Sequence, residues 1–153
     1  MRICGIDPGS NGAICVLDRT DSTYIAFCDL NKSTTYDIAI WLFNQKVTYI
    51  WIEDVHSLYG MSAKSNFIFG KNLGMVTTVS EIISKGDSSK IRTVTPKIWQ
   101  KHIGVTSKGK HIKKNVADIA KKLYPNVNIY GKRGGLLDGR SDACMVAYYG
   151  LTH

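Results

Sequence analysis

Apolar positions come first in short runs and later in helical stripes. Residues 2–6 (RICGI), 13–18 (AICVLD) and 23–29 (TYIAFCD) are compact runs of strand-forming type, separated by Gly, Asn, Asp and Ser. Links this short predict an antiparallel meander. The first run ends in Asp7-Pro8-Gly9. Pro8 has no N–H and disfavours helix at the residue before it, so the strand stops at Asp7. Gly9 and Gly12 let the backbone bend into the second strand. Thr34 or Thr35 is placed to cap a helix carrying Ile38, Ile40, Trp41 and Leu42. Residues 47–53 (VTYIWIE) are β-branched and aromatic with little polar alternation, as in a strand buried on both faces. Because a helix precedes it, this strand is expected to run parallel to the first. Its end, Glu53-Asp54, then shares a sheet edge with Asp7, the edge where α/β sheets hold ligands.

The second half is mainly helical. Residues 55–61 read as a loop containing His56, Leu58, Tyr59 and Gly60. Residues 62–84 read as a long helix with Phe69, Leu73, Val76, Val79 and Ile83 on one stripe. Gly70, Gly74 and Thr77 form a neighbouring stripe of small residues. Each glycine costs about 1 kcal/mol relative to alanine in a helix. Close approach of another backbone would explain that cost, with core packing as the default and a second subunit as the alternative. Residues 91–95 predict a strand, and Thr95-Pro96 opens a helix with proline at its first position. Trp99 and Ile103 give that helix an apolar side, and Lys97, Lys101 and His102 a polar one. After a break at 104–109, residues 110–123 predict a helix burying Ile112, Val116, Ile119, Ala120 and Leu123, with Lys110, Lys114 and Lys121 opposite. Residues 125–135 read as a loop. In the final segment, LLDGRSDACMVAYYG, Asp138 and Asp142 share one helix face, and Ala143, Val146 and Ala147 pack on the sheet.

Composition narrows the class. A chain of 153 residues with 44% hydrophobic and 21% charged positions suits one globular domain, 1–153. No apolar run approaches the roughly 20 residues of a membrane helix. The first twenty residues lack a signal-peptide pattern, so a soluble, cytoplasmic protein is expected. Cys4, Cys15, Cys28 and Cys144 have no metal-binding spacing and are expected to be buried reduced thiols. The net charge of +8 is unevenly spread. Residues 1–53 carry four basic and six acidic groups, whereas residues 97–122 carry eight lysines and one acid. A basic segment this dense points to a polyanion, most simply nucleic acid, unless it is only a solvated face. Lys108 and Lys110, beside a glycine loop, are best placed to grip phosphates.

Four acids then stand out: Asp7, Glu53, Asp138 and Asp142. Each has an ordinary explanation. Asp7 serves a turn, Glu53 marks a strand end, and Asp138 and Asp142 suit the start of a helix. Two like charges four residues apart repel unless something positive lies between them. Gathered at one place, the four would suit Mg²⁺, with Mn²⁺ as substitute. With a lysine-rich patch, the chemistry suggested is two-metal phosphodiester hydrolysis. No Ser-His-Asp or Cys-His pattern and no phosphate-binding GxxxxGK loop competes.

The order of elements resembles the ribonuclease H-like fold, an α/β fold with a five-stranded mixed sheet flanked by helices. The segments IDPG (6–9), Ile52-Glu53, TPKIWQKHIG (95–104) and LDGRSDACMVAYYG (137–150) resemble RuvC-type Holliday junction resolvases, closest to the phage-like branch. The resemblance implies a homodimer that binds four-way DNA junctions and cuts two strands symmetrically with Mg²⁺, two ions per active site, leaving 5′-phosphate and 3′-hydroxyl ends. It implies metal-binding roles for Asp7, Glu53 and Asp142, and by position for Asp138, although the family's cellular branch spaces its last two acids by three residues rather than four. It implies a dimer helix at 62–84 and a DNA-binding segment at 95–114, with Lys101, Lys108 and Lys110 as phosphate contacts. Where cellular members carry an aromatic residue after the strand-ending Glu, this chain has His56, with Tyr59 three residues on. The rival expectations are a nuclease for RNA–DNA hybrids or flaps, a non-catalytic junction-binding protein, and an actin-like ATPase, which would need two domains of this size.

Overall fold

A computed structural model describes residues 1–55 and 62–153. His56 and Tyr59 lie outside the described residues. Five strands form one sheet in the order β3-β2-β1-β4-β5. The strands are β1 (Arg2–Asp7), β2 (Ala13–Asp18), β3 (Ile25–Asp29), β4 (Tyr49–Glu53) and β5 (Ile91–Val94). β1, β2 and β3 form the antiparallel meander, while β4 pairs parallel with β1 and β5 parallel with β4.

Helices cover both faces, so the central strands are buried on both sides. On one face lie α1 (Thr35–Gln45) and α2 (Ala63–Ile83). They contribute Ile38, Leu42, Val76 and Val79 to a core with Cys4, Ile6, Ile50 and Ile52. On the other face lie α3 (Pro96–His102), α4 (Ile112–Leu123) and α5 (Asp138–Thr152). Trp99, Val116, Ala120, Ala143 and Ala147 pack there against Ile3, Cys15 and Trp51. The two-residue strand period divides the chain between these cores: Cys4 and Ile6 point one way, Ile3 and Gly5 the other.

The local signals explain the element ends. Thr34, rather than Thr35, caps α1: its side chain accepts from the Asp37 N–H, and the Asp37 carboxylate accepts from the Thr34 N–H in return. Pro96 occupies the first turn of α3, although the Thr95 side chain makes no capping bond. α4 begins at Ile112, later than residue 110, because a short 3-10 turn over Gly109–His111 precedes it. Leu123, expected in the core, is 40% exposed at the end of that helix. All four cysteines are buried and free.

Gly5 sets how closely α5 approaches the sheet. A Cβ built there would lie 2.2 Å from the Ala147 N and 2.3 Å from the Ala143 O, both backbone atoms. Only a residue without a side chain lets helix and strand touch this way. Gly139, at the other end of the contact, presses on the turn after β1, where an added Cβ would meet the Asn11 O at 2.0 Å. α5 therefore lies directly on β1, with its first turn at the strand's carboxyl end. No described helix is long and apolar enough to cross a membrane.

Candidate active site

Strand parity brings the first two acids together. Asp7 follows Ile3 and Gly5 on the α5 face, and Glu53 follows Trp51 on the same face. β1 and β4 are parallel and in register, with Gly5 opposite Trp51 and Ile6 opposite Ile52, so the two carboxylates end adjacent strands side by side. The first turns of α5 then bring Asp138 and Asp142 over them. All four acids line one cleft of about 210 Å³, together with Lys113 of α4 and Phe69 of α2.

Each acid is held by specific contacts. The Gly9 N–H donates to Asp7 Oδ1 at 2.8 Å, an Asx-type turn that orients the carboxylate. Asn72 of α2 donates its side-chain amide to the Gly9 carbonyl at 2.9 Å and ties that turn to the opposite layer. The buried Glu53 accepts from the indole N–H of Trp99 at 2.9 Å. The Lys113 ammonium pairs with Asp138. Asp138 is the first residue of α5 and not its cap, which is Leu137.

The electrostatics are those of crowded acids. Burial first, and then neighbouring carboxylates, push Glu53 up to about 8 and Asp142 well above the usual carboxylate range. Asp7 rises to about 6, mainly by burial, with the Gly9 N–H pulling the other way. The interaction between the Asp7 and Glu53 carboxyls lowers the first and raises the second, so Glu53 holds its proton more firmly than Asp7. The hydrogen bond to Asp138 raises Lys113, with further help from the charges of Asp142 and Asp7. Among the described residues, no three of these side chains are gathered tightly enough to hold an ion as they stand. The Lys113 ammonium balances part of the charge that a divalent cation would balance. The donor set is nonetheless one that fits such a cation: hard carboxylate oxygens around a cleft, with an excess of buried negative charge whenever the acids ionise.

Sequence patterns pointed to all four acids but missed the groups that serve them. Lys113 supplies the positive charge between Asp138 and its neighbours, and it was hidden within a lysine run. Trp99 was legible as apolar, but nothing in its neighbours signalled a bond to a residue 46 positions earlier. Asn72 lies on the sheet-facing side of α2 with Val76 and Val79, and nothing in its neighbours signalled a bond to Gly9. Lys101, Lys108 and Lys110 do not line this cleft. Lys108 and Lys110 are exposed around the turn before α4. Lys101 lines a separate cleft of about 540 Å³ with Lys97, His102 and Tyr149, on the outer side of α3 and the end of α5.

Thermus thermophilus RuvC in complex with a Holliday junction substrate superposes with a TM-score of 0.59 at 13% identity, covering 100% of this chain and 92% of that one. The Thermus thermophilus RuvC structure gives 0.53 at 14% identity, covering 99% and 96%. The fold is RuvC-like. It is the ribonuclease H-like arrangement of a five-stranded mixed sheet flanked by helices. At such low identity the similarity is carried by architecture, and no family model and no curated protein matches the sequence. In this chain the acid cleft sits at the carboxyl ends of β1 and β4, the edge of an α/β sheet expected to hold a ligand.

Proposed function

We propose that this protein is a metal-dependent endonuclease that resolves Holliday junctions and related branched DNA. The observation that carries the reading is the convergence of Asp7, Glu53, Asp138 and Asp142 on one cleft of a RuvC-like fold. One of the structural neighbours holds a Holliday junction, which makes a four-way junction the first substrate to test. The four acids would hold Mg²⁺, or Mn²⁺ in its place, as one ion or two. When bound, the metal supplies Lewis acidity at the scissile phosphate and a more acidic water for attack, giving 5′-phosphate and 3′-hydroxyl ends.

The chain's own residues have definable tasks in this reading. Trp99 holds one Glu53 oxygen in place. The Gly9 N–H does the same for Asp7. Lys113 can leave Asp138 for a phosphate oxygen as DNA arrives and offset charge that builds up during hydrolysis. Lys101, Lys108 and Lys110 have no ion pair among the described residues, unlike Lys113 and Lys114, and are free to take phosphates outside the cleft. The deciding assay offers labelled four-way junctions, flaps and RNA–DNA hybrids to the protein with Mg²⁺ or with chelator. Symmetric, metal-dependent cutting of junctions in preference to the others is expected. Junction binding without cutting in Mg²⁺ or Mn²⁺ would overturn the enzymatic reading.

A homodimer completes the proposal. Gly70 and Gly74 do not pack in the core: both are exposed, and a Cβ on either would meet nothing within 4 Å. Phe67, on the same open side, is 73% exposed. A second copy on this side of α2 would cover an apolar ring and give two glycines a close-packed neighbour. Sedimentation at micromolar concentration should show a dimer, and Phe67→Glu a monomer. A monomeric wild-type chain would remove the dimer from the proposal.

A further inference from the structure

Beside the acid cleft lies a second cleft of about 260 Å³, sharing Asn11 and Asp138 with it. Its volume is below that of most small-molecule sites and on the scale of a single nucleobase rather than a duplex. Its floor is rigid. Arg140 donates to Asp29 through Nε at 2.6 Å and through Nη2 at 2.9 Å, and through Nη1 to the Asn128 carbonyl at 3.1 Å. Lys32 adds a bond to the same Asp29 carboxylate at 3.0 Å. These charges are spent on one another.

The walls differ from the floor. Asn11 and Asn31 line the cleft, both are exposed, and neither side-chain amide has a partner among the described residues. Asn11 cannot drift, because its carbonyl is pressed against Gly139 of α5. Asn31 is held nearby, since the Leu30 N–H donates to the Gly12 carbonyl at 3.0 Å. An amide presents a donor and an acceptor side by side, which is the complement of a base edge and matches adenine in particular.

We propose that this cleft receives the nucleobase adjoining the phosphate to be cut, and that Asn11 and Asn31 read its edge and set the sequence preference of cleavage. The inference rests on the nuclease reading above and adds to it a specificity determinant outside the acids. A strand whose phosphate lies at Asp7 and Asp138 reaches the second cleft within one nucleotide, because the two clefts share a wall. An unstacked base at a strand crossover can enter such a cleft at less cost than a paired one.

The test uses a pool of four-way junctions randomised across the crossover, cut in Mg²⁺ and sequenced at the ends produced. The measured quantity is the ratio among bases at each position beside the cut, so it does not depend on overall rate. Wild type should favour adenine at one position by roughly 5-fold to 150-fold, the range for one bidentate base contact. Asn31→Ala should flatten that position. Asn31→Asp, nearly the same shape but only an acceptor when ionised, should move the preference toward cytosine. Cleavage with no base preference at any position, or with a preference untouched by both variants, overturns this inference and leaves the nuclease reading standing. No cleavage of any junction by wild type overturns both.

Discussion

Asp7→Asn is expected to reduce junction cleavage by roughly 10²–10³-fold or more, the scale on which losing a preorganised charged group is felt. Junction affinity should change by less than about threefold or tighten, because lysines rather than acids hold phosphates and the substitution removes a repelling charge. Asparagine keeps the shape and can still accept from the Gly9 N–H, now 2.8 Å from Asp7 Oδ1, so the turn should survive. Gel-shift titration and single-turnover cleavage on the same junction separate the two effects. Cutting at near wild-type rate would mean that the acid cleft is not where hydrolysis happens.

Glu53→Gln should make the metal-free protein more heat-stable at pH 8.5 while removing cleavage. The sign follows from the acids. Glu53 titrates at about 8 in the folded chain against an ordinary value of 4.5, and Asp7 at about 6 against 3.8. A folded value above the unfolded one means that the fold holds a proton which the unfolded chain releases. The stability this contributes is complete below about pH 4 and is lost as pH rises through about 6 and then about 8. In chelator, the wild-type melting temperature should therefore fall across that window. Glutamine cannot ionise, and its amide oxygen can still accept from Trp99. Each pKa unit is worth about 1.4 kcal/mol. A gain of a few kcal/mol corresponds to roughly 5–10 °C for a chain of this size. Mg²⁺ should restore wild-type stability at high pH and do much less for the variant. A wild-type melting curve indifferent to pH between 5 and 9 in chelator would contradict the crowded-acid account. The expected exchange of stability for activity is common where like charges are held together for function.

The candidate site was legible to different depths. Asp7 and Glu53 could be found because each ends a strand, and strand parity dictates the face on which such a residue appears. Asp138 and Asp142 could be paired because a four-residue step places them on one helix face. Lys113 could not be chosen among eight lysines in 97–122, since selection depends on how α4 is rotated against α5. Gly70 and Gly74 show the converse error. Their spacing marked a special stripe, but whether it met the core or open solvent was settled by α2 presenting Val76 and Val79 to the sheet instead.

What the amino-acid order determined by itself was local: where strands stop, which helices are capped, which faces are apolar, and that acids and lysines lie in separate segments. These follow from backbone sterics and short-range periodicity, which neighbouring residues specify. The tertiary structure alone decided that Trp99 bonds Glu53, that Lys113 reaches Asp138, and that Arg140 locks Asp29 across 111 residues. Such contacts depend on the seating of α5 against Gly5 and on the packing of α3 and α4 beside it. That seating is a property of all the packed surfaces at once, and no single stretch of sequence encodes it.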